Sequence, residues 1–226
     1  MNIENVIFDF DGTLVDTADD VVACLRKAYQ SVLPARTVDV RPTHIGPQLK
    51  EIINNITPGL GPEVVHDLMR NFRHCYDNSS YPNTQMRGHI DELLKLLKNL
   101  SVGMFIVTNK PKRATQRILK ALHLACFREV VTPDFFPGKI IPKDVMIAYL
   151  VGAYQLEPDR TLMVGDSESD IAAARQNGIA ALILLDGYGN REAIRHGRPE
   201  YQLEKASQLY SFMRGLLKNG PRTRVS

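Results

Sequence analysis

Four apolar runs of strand length, each separated from the next by a stretch with helical spacing, constrain the fold more than any other feature of this sequence. They cover residues 6–10, 102–108, 161–165 and 179–185. A strand that is apolar along its whole length, rather than at alternate positions, is buried on both faces, as in a parallel sheet covered by helices. The intervening stretches carry the helical repeat: Ile90, Leu93, Leu94 and Leu97 recur at i, i+3, i+4 and i+7, and Ile118, Leu119 and Leu122 follow part of it. Pro111 stands where a first helical turn tolerates proline, and Gly178 stands where a helix opening near Ser169 would close. The expected fold is therefore α/β, a Rossmann-like parallel sheet with helices between its strands.

Between residues 17 and 82 the pattern changes. Val21, Val22, Leu25, Ala28 and Tyr29, then Ile52, Ile53 and Ile56, then Val64, Val65, Leu68, Met69 and Phe72 keep helical spacing, with no credible strand among them. The segment reads as an all-helical insert that leaves the sheet after its first strand and returns near Arg87-Gly88. The expected division is an α/β core over 1–16 and 83–226 and a helical unit over 17–82. At the other end, Lys218, Arg222 and Arg224 around the breaker pair Gly220-Pro221 read as a frayed tail.

Composition narrows the function. The 226 residues are 44% hydrophobic and 23% charged, and 28 Lys and Arg against 25 Asp and Glu leave a formal charge of only +3. That balance belongs to a folded globular chain without the basic footprint of a nucleic-acid partner. No apolar run approaches the ~20 residues needed to cross a bilayer. The first five residues lack the basic and apolar segments of a secretory signal, so no membrane partner is expected and the cytoplasm is the expected location. Cys24, Cys75 and Cys126 are odd in number and widely spaced, which fits neither a disulfide framework nor a paired-cysteine metal site; reduced packing residues are expected. The histidines include no HExxH, the phosphate-loop pattern GxxxxGK[ST] is absent, and Gly187-Tyr188-Gly189 lacks the third glycine of a dinucleotide fingerprint.

The chemistry gathers at the tips of the apolar runs. Asp9 and Asp11 flank Phe10 at the end of the first, where period two places both side chains on one side of the chain. Two carboxylates so close are costly at the end of a buried strand unless a cation neutralises them or one takes up a proton. Gly12 and Thr13 then let the chain turn away. Thr108-Asn109 ends the second long run just before a helix, where a hydroxyl and backbone N–H groups can hold a phosphate oxygen. The segment Gly165-Asp166-Ser167-Glu168-Ser169-Asp170 brings further carboxylates to the same edge. Lys143 opens a helix, where a cation opposes the dipole, so charge balance in a carboxylate-rich pocket is the better account of it.

Asp9-Phe-Asp-Gly-Thr13, Thr108-Asn109, Lys143 and Gly165-Asp-Ser-Glu-Ser-Asp170, in this order and spacing, resemble the four motifs of the haloacid dehalogenase-like hydrolases. The helical insert directly after the first motif, and Pro199-Glu-Tyr-Gln-Leu203 near the end, resemble the phosphoglycolate phosphatase-like branch. The resemblance implies an Mg²⁺-dependent phosphatase acting on a small phosphorylated metabolite, as a monomer or homodimer, with the insert as a cap domain. It implies Asp9 as the nucleophile that becomes an aspartyl phosphate and Asp11 as the proton donor and acceptor. Asp9, the backbone carbonyl of Asp11, and Asp166 would hold Mg²⁺, with Asp170 supporting them. Thr108, Asn109 and Lys143 would bind the phosphoryl group. The lysine motif departs from the commonest form, because Lys139 and Lys143 both stand near Pro142; the sequence around Lys143 is the closer match. In the cap, Thr43-His44-Ile45-Gly46-Pro47 is the expected substrate-closing loop, Gly46 allowing close backbone approach.

The resemblance leaves alternatives of other classes. A phospho-accepting signalling domain shares the carboxylates, Thr and Lys but needs no insert and about half the length. A phosphosugar mutase keeps both aspartates, although a bulkier apolar residue usually stands where this chain has Thr13. A dehalogenase has no need of Asp11, and phosphonate cleavage would need a cap lysine, for which neither Lys27 nor Lys50 lies in a motif.

Overall fold

The computed structural model describes residues 2–46 and 48–218. The strands in chain order are β1 (Asn5–Phe8), β2 (Val15–Asp16), β3 (Gln85–Met86), β4 (Gly103–Val107), β5 (Glu129–Val131), β6 (Thr161–Gly165), β7 (Ala180–Leu184) and β8 (Tyr201–Leu203). The α-helices are α1 (Ala18–Val32), α2 (Leu49–Ile56), α3 (Pro62–Asp77), α4 (Ile90–Asn99), α5 (Lys112–Ala121), α6 (Lys143–Tyr154), α7 (Glu168–Gln176), α8 (Arg191–Gly197) and α9 (Leu209–Lys218).

Six of the strands form one sheet in the order β5-β4-β1-β6-β7-β8, and every pairing in it is parallel. The period of two sorts its side chains onto two faces. Ile7, Phe105, Met163 and Ile183 share one apolar cluster with Met146, Ile147 and Leu150 of α6, Ile171 of α7 and Ile194 of α8. Val6, Phe8, Ile106, Val164 and Leu182 share the other with Leu93 and Leu97 of α4, Ile118 of α5 and Met213 of α9. Both faces are covered, which is why the runs read as continuously apolar. The fold class expected from the sequence is the one observed. Gly178, at φ +68°, follows α7, and the N–H groups of Gly178 and Ile179 close on the carbonyls of Arg175 and Ala174.

The sequence missed the edges and the joint. β5 and β8 are three-residue edge strands with polar residues among them, too short to carry a periodic signal. β2 and β3 are shorter still. They pair antiparallel, Val15 opposite Met86 and Asp16 opposite Gln85, so the chain leaves the sheet for its helical segment and returns along the same two-stranded ribbon. Asp20 on α1, almost fully buried, ties the returning chain down by accepting from Asn83 N, Asn83 Nδ2 and Thr84 Oγ1.

Within that segment α1 and α3 pack lengthwise, burying Val21, Val22, Leu25 and Tyr29 with Val65, Leu68 and Tyr76. Residues 33–48 do not continue the helical periodicity. Among the described residues of that stretch only a three-residue turn, Pro42–His44, is regular, and Pro34 and Pro42 account for the break. The expectation of three reduced cysteines is corrected: Cys24 of α1 and Cys75 of α3 form a disulfide with Cα atoms 5.6 Å apart, and only Cys126 is a free thiol. Their separation of 51 residues said little, because two helices lying side by side bring distant positions together. Pro47 and residues 219–226, with Gly220, Pro221, Arg222 and Arg224 of the expected tail, lie outside the described residues. Among the described residues no helix is long and apolar enough to cross a membrane.

Thiol labelling of the unfolded, unreduced protein should modify Cys126 alone, and labelling after reduction should modify all three cysteines. Three reactive thiols in protein that has seen no reductant would show the helices unlinked.

Candidate active site

The strand order reverses at β1, which has β4 on one side and β6 on the other, and the residues beyond the C-terminal ends of these three strands converge. Asp9 follows β1, Thr108 follows β4 and Asp166 follows β6. Asp9 stays in register one residue past its strand because its N–H donates to the Val164 carbonyl at 2.8 Å. The chain then turns through Gly12, at φ +80°, where a Cβ would stand 2.2 Å from Asp166 Oδ2. Only glycine fits that approach, so a short sharp turn sets the first carboxylate against the third strand's tip.

Lys143, the first residue of α6, reaches into this junction. Its Nζ donates to Asp9 Oδ1 at 2.8 Å and to Asp170 Oδ1 at 2.7 Å, and all three side chains are at most 8% exposed. The other oxygen of Asp170 accepts from Asp166 N, Ser167 N and Ser167 Oγ at 2.7–3.1 Å, which locks the loop between β6 and α7. Burial pushes the Asp9 carboxyl up to about 7 against the pull of Lys143, and burial also raises that of Asp166 well above the usual carboxylate range. Burial favours the neutral form of Lys143, but Asp170 and Asp9 outweigh it and hold the ammonium charged.

Asp11 takes a different direction. Its Oδ1 accepts from Thr17 Oγ1 at 2.5 Å and pairs with Lys110 Nζ at 3.0 Å, so its carboxylate lies outside the group formed by Asp9, Asp166 and Asp170. Lys110 also stands over the ring of Tyr76 on α3, 4.7 Å from its centroid, and burial raises the Tyr76 phenol to about 12. Sequence reasoning passed over Lys110, although it sits two residues beyond the apolar run that carries Thr108. Thr108, fully buried, accepts from Lys110 N at 3.1 Å, and Thr13 Oγ1 donates weakly to Asp166 Oδ1 at 3.4 Å. Tyr188 was passed over too: its N–H donates to Asp166 Oδ2 at 2.5 Å.

These groups open onto a cavity of about 510 Å³ between the sheet edge and the helical segment. Asp9, Asp11, Thr108, Asn109, Lys143 and Asp166 form its floor. Val21, Leu49, Ile52, Met69 and Phe72 form an apolar wall opposite, and Gly46 lies at the rim. Lys139 is exposed and does not line this cavity, whereas Lys143 does. Asp170 is sealed beneath the floor.

A divalent cation suits this donor set. Asp9, Asp166 and Asp170 each offer a carboxylate oxygen, and these lie within 4.8 Å of one another, all buried. In their ionised forms Asp9, Asp166 and Asp170 carry three negative charges against the one ammonium group of Lys143, which leaves two to be met by a cation or by protons. The donors are hard oxygens, the kind that Mg²⁺ takes. Asp170 has both oxygens engaged by Lys143 and the loop and does not line the cavity, whereas Asp9 and Asp166 do, which makes these two the carboxylates placed to reach an ion there.

Known proteins place the chain. A crystal structure described as a predicted phosphoglycolate phosphatase from Haemophilus somnus 129pt superposes with a TM-score of 0.81 at 25% identity, covering 94% of this chain and 99% of that one. A predicted phosphatase from Clostridium acetobutylicum gives 0.83 at 22% identity, over 95% and 100% of the two chains. The architecture is thus that of the Rossmann-like hydrolases with a helical insert after the first strand. The family model described as haloacid dehalogenase-like hydrolase matches residues 6–184. The phosphoglycolate phosphatase of Vibrio vulnificus (strain YJ016) is 30% identical over 217 residues, 92% of this chain and 94% of that protein. The chain belongs to the haloacid dehalogenase-like hydrolase family.

Lys143→Ala leaves Asp9 and Asp170 buried without their shared cation. It should lower the unfolding free energy in EDTA by about 3 kcal/mol, measured in urea at neutral pH. Lys139→Ala, at an exposed position, should change it by no more than about 0.5 kcal/mol. The reverse order would mean that the bridge carries no weight.

Proposed function

We propose that the protein is a phosphatase that hydrolyses a small phosphate monoester, of the phosphoglycolate kind, with Mg²⁺ and through an aspartyl phosphate on Asp9. The observation that carries this reading is the convergence of Asp9, Thr108, Lys143 and Asp166 at one strand-order reversal, on the floor of a covered cavity. Curated relatives that match over nearly the whole chain, among them those of Vibrio vulnificus and Haemophilus influenzae, bear the name phosphoglycolate phosphatase.

Each residue's role follows from its chemistry. The oxygen of Asp9 turned from Lys143 attacks phosphorus, and the ester P–O bond breaks. Lys143 keeps Asp9 in place and lowers the repulsion between its carboxylate and the dianionic phosphoryl group. Thr108 already accepts from Lys110 N, so its own hydroxyl proton is directed to a phosphoryl oxygen. Asp11 gives its proton to the departing alcohol oxygen and then takes one from the water that cleaves the aspartyl phosphate, releasing inorganic phosphate. Its contact with Thr17, at the ribbon's end, and with Lys110 orients it from outside the carboxylate cluster. Asp9, the Asp11 carbonyl and Asp166 would hold Mg²⁺, with Asp170 bracing the loop that carries Asp166. The ion supplies positive charge to the transferring group.

In the same reading residues 17–82 act as a cap on a core of residues 1–16 and 83–226. Its apolar wall dries the cavity, which strengthens every charge interaction on the floor. In this reading the cap wall sets which alcohols fit.

A phosphate-release screen over 2-phosphoglycolate, sugar phosphates and nucleoside monophosphates with Mg²⁺ should find turnover of at least one ester, 2-phosphoglycolate first among them. Silence across the panel would reject the reading, and phosphate shuttled within a sugar without release would replace it by a mutase. Asp9→Asn should lower the rate by at least about 10³-fold, and EDTA should abolish it reversibly. Turnover that survives either treatment would remove the role assigned to that group.

A further inference from the structure

The Gly187-Tyr188-Gly189 loop beyond β7 has no part in the chemistry above, yet it touches three places whose positions a capped phosphatase must keep together. The first is the carboxylate of Asp166, bonded by the Tyr188 N–H at 2.5 Å. The second is the joint between sheet and helical segment. The Tyr188 hydroxyl donates to Asp16 Oδ1 at 2.6 Å and accepts from Thr17 N at 2.8 Å and Ala18 N at 3.0 Å. One donor and two acceptor sites are all that a phenol has, and all are spent here. Asp16 ends β2 and Ala18 opens α1, so the hydroxyl clasps the chain where it passes from ribbon to helix. The third place is Gly46, where an added Cβ would stand 3.2 Å from Tyr188 Cβ and 3.3 Å from its carbonyl oxygen.

The flanking glycines explain how one residue reaches all three. A Cβ at position 187 would lie 2.2 Å from Asp166 Cβ, and one at 189 would lie 2.1 Å from the Asp166 carbonyl oxygen. No side chain fits at either position without displacing Asp166. The loop is therefore pressed against Asp166 on both sides of Tyr188, and the ring between them is aimed at the joint. Packing alone would be served as well by phenylalanine; the saturated hydroxyl is what the packing does not explain.

We infer that Tyr188 is a positioning residue that couples the seat of the helical cap to the carboxylate of Asp166, its backbone fixing the acid while its hydroxyl fixes the joint. The inference rests on the phosphatase reading only for the consequence in turnover. With phenylalanine at 188, Ala18 N keeps its second acceptor, Asp16 Oδ1 at 3.2 Å, whereas Thr17 N loses its partner. The cap then spends less time seated, and binding of the ester suffers before the chemical step does.

The test compares Tyr188→Phe, Asp16→Ala and Gly187→Ala with the wild type, all as the full chain with Mg²⁺. Tyr188→Phe should speed amide hydrogen exchange at Thr17 about tenfold and raise KM for 2-phosphoglycolate by about the same factor. It should leave kcat within about threefold and the Mg²⁺ concentration for half-activation within about twofold, since the donor to Asp166 is a backbone group retained in the variant. Asp16→Ala removes the hydroxyl's acceptor, should reproduce the KM effect, and carries the test if Tyr188→Phe does not fold. The double variant should be no worse than either single one. Gly187→Ala, which pushes Asp166 and the loop apart, should shift the Mg²⁺ requirement by about fivefold or more and, through the Tyr188 hydroxyl, speed Thr17 exchange as well; exchange at Thr17 unchanged by it would also overturn the coupling. Wild-type exchange and KM in Tyr188→Phe, or simple additivity in the double variant, would overturn the coupling. If the wild type releases phosphate from no ester, the phosphatase reading falls separately. The coupling is then decided by inorganic phosphate, which should slow Thr17 exchange in the wild type and not in Tyr188→Phe; equal response in both would overturn it.

Discussion

One buried ammonium group shared by two carboxylates holds the centre of this molecule. Lys143 comes from the start of α6, Asp9 from the end of β1 and Asp170 from the first turn of α7, and the three meet with almost no exposure. None is stable there alone. A lone buried carboxylate or ammonium costs several kcal/mol, and the pair offsets that only with close geometry and further hydrogen bonds. Asp170 supplies those bonds, accepting three times from the loop at Asp166 and Ser167. The backbone of the β6–α7 junction is therefore fixed by the same contact that holds Asp9, and Asp166 inherits its place from both. With Asp9, Asp166 and Asp170 ionised the arrangement is short of positive charge by two units, and a divalent ion would complete it.

A second ion pair repeats the device at lower burial and links the sheet to its helical segment. Lys110 pairs with Asp11 and faces the ring of Tyr76, while Asp11 also takes the hydroxyl of Thr17. Core and insert thus share one charge network: α3 contributes the ring, the joint contributes the hydroxyl, and β4 delivers the cation. The two aspartates separated by Phe10 are consequently governed by different lysines. Asp9 faces inward to α6, and Asp11 faces the insert. On the proposed reading this division suits their separate tasks, since the nucleophile must stay fixed while the proton carrier must meet an alcohol presented from the cap side.

The sequence made the sheet legible because burial on both faces leaves an unbroken apolar run, as at 103–107 and 161–165, with the polar payload immediately after it. The floor of the cavity was legible for the same reason: Asp9, Thr108 and Asp166 each stand directly beyond a strand, where topology alone brings them together. Motif resemblance favours Lys143 over Lys139, and of the two Lys143 is buried at the cavity floor while Lys139 is exposed. What escaped depends on contacts between distant segments. Lys110 looks like any lysine after a strand until α3 places Tyr76 above it. Tyr188 lies between two glycines that matched no known loop, and their use, close approach to Asp166, exists only in three dimensions. The disulfide escaped because it depends on the facing of α1 and α3, which spacing along the chain does not encode.

The floor and the wall of the cavity differ in what they can distinguish. On the proposed reading the groups on the floor address the phosphoryl unit, the ester oxygen or the cation that accompanies them, features common to all monoesters. On that reading the alcohol lies toward the wall, and there the chain offers Val21, Leu49, Ile52, Met69 and Phe72 together with the polar side chains of Gln48, Lys50 and Arg73. Apolar contacts discriminate weakly, by about 1–3 kcal/mol for a methylene gained or lost. The apolar part of the wall therefore selects on the size of the alcohol, whereas Gln48, Lys50 and Arg73 offer donors to a polar or anionic one. Dryness is its stronger contribution, because excluding water raises the worth of Lys143 and of any bound cation for every ester that enters. On the same reading a wall whose chain enters and leaves through one ribbon can deliver that dryness only if the joint holds its angle, which gives the contacts at Asp16, Thr17 and Ala18 a part in what happens on the floor.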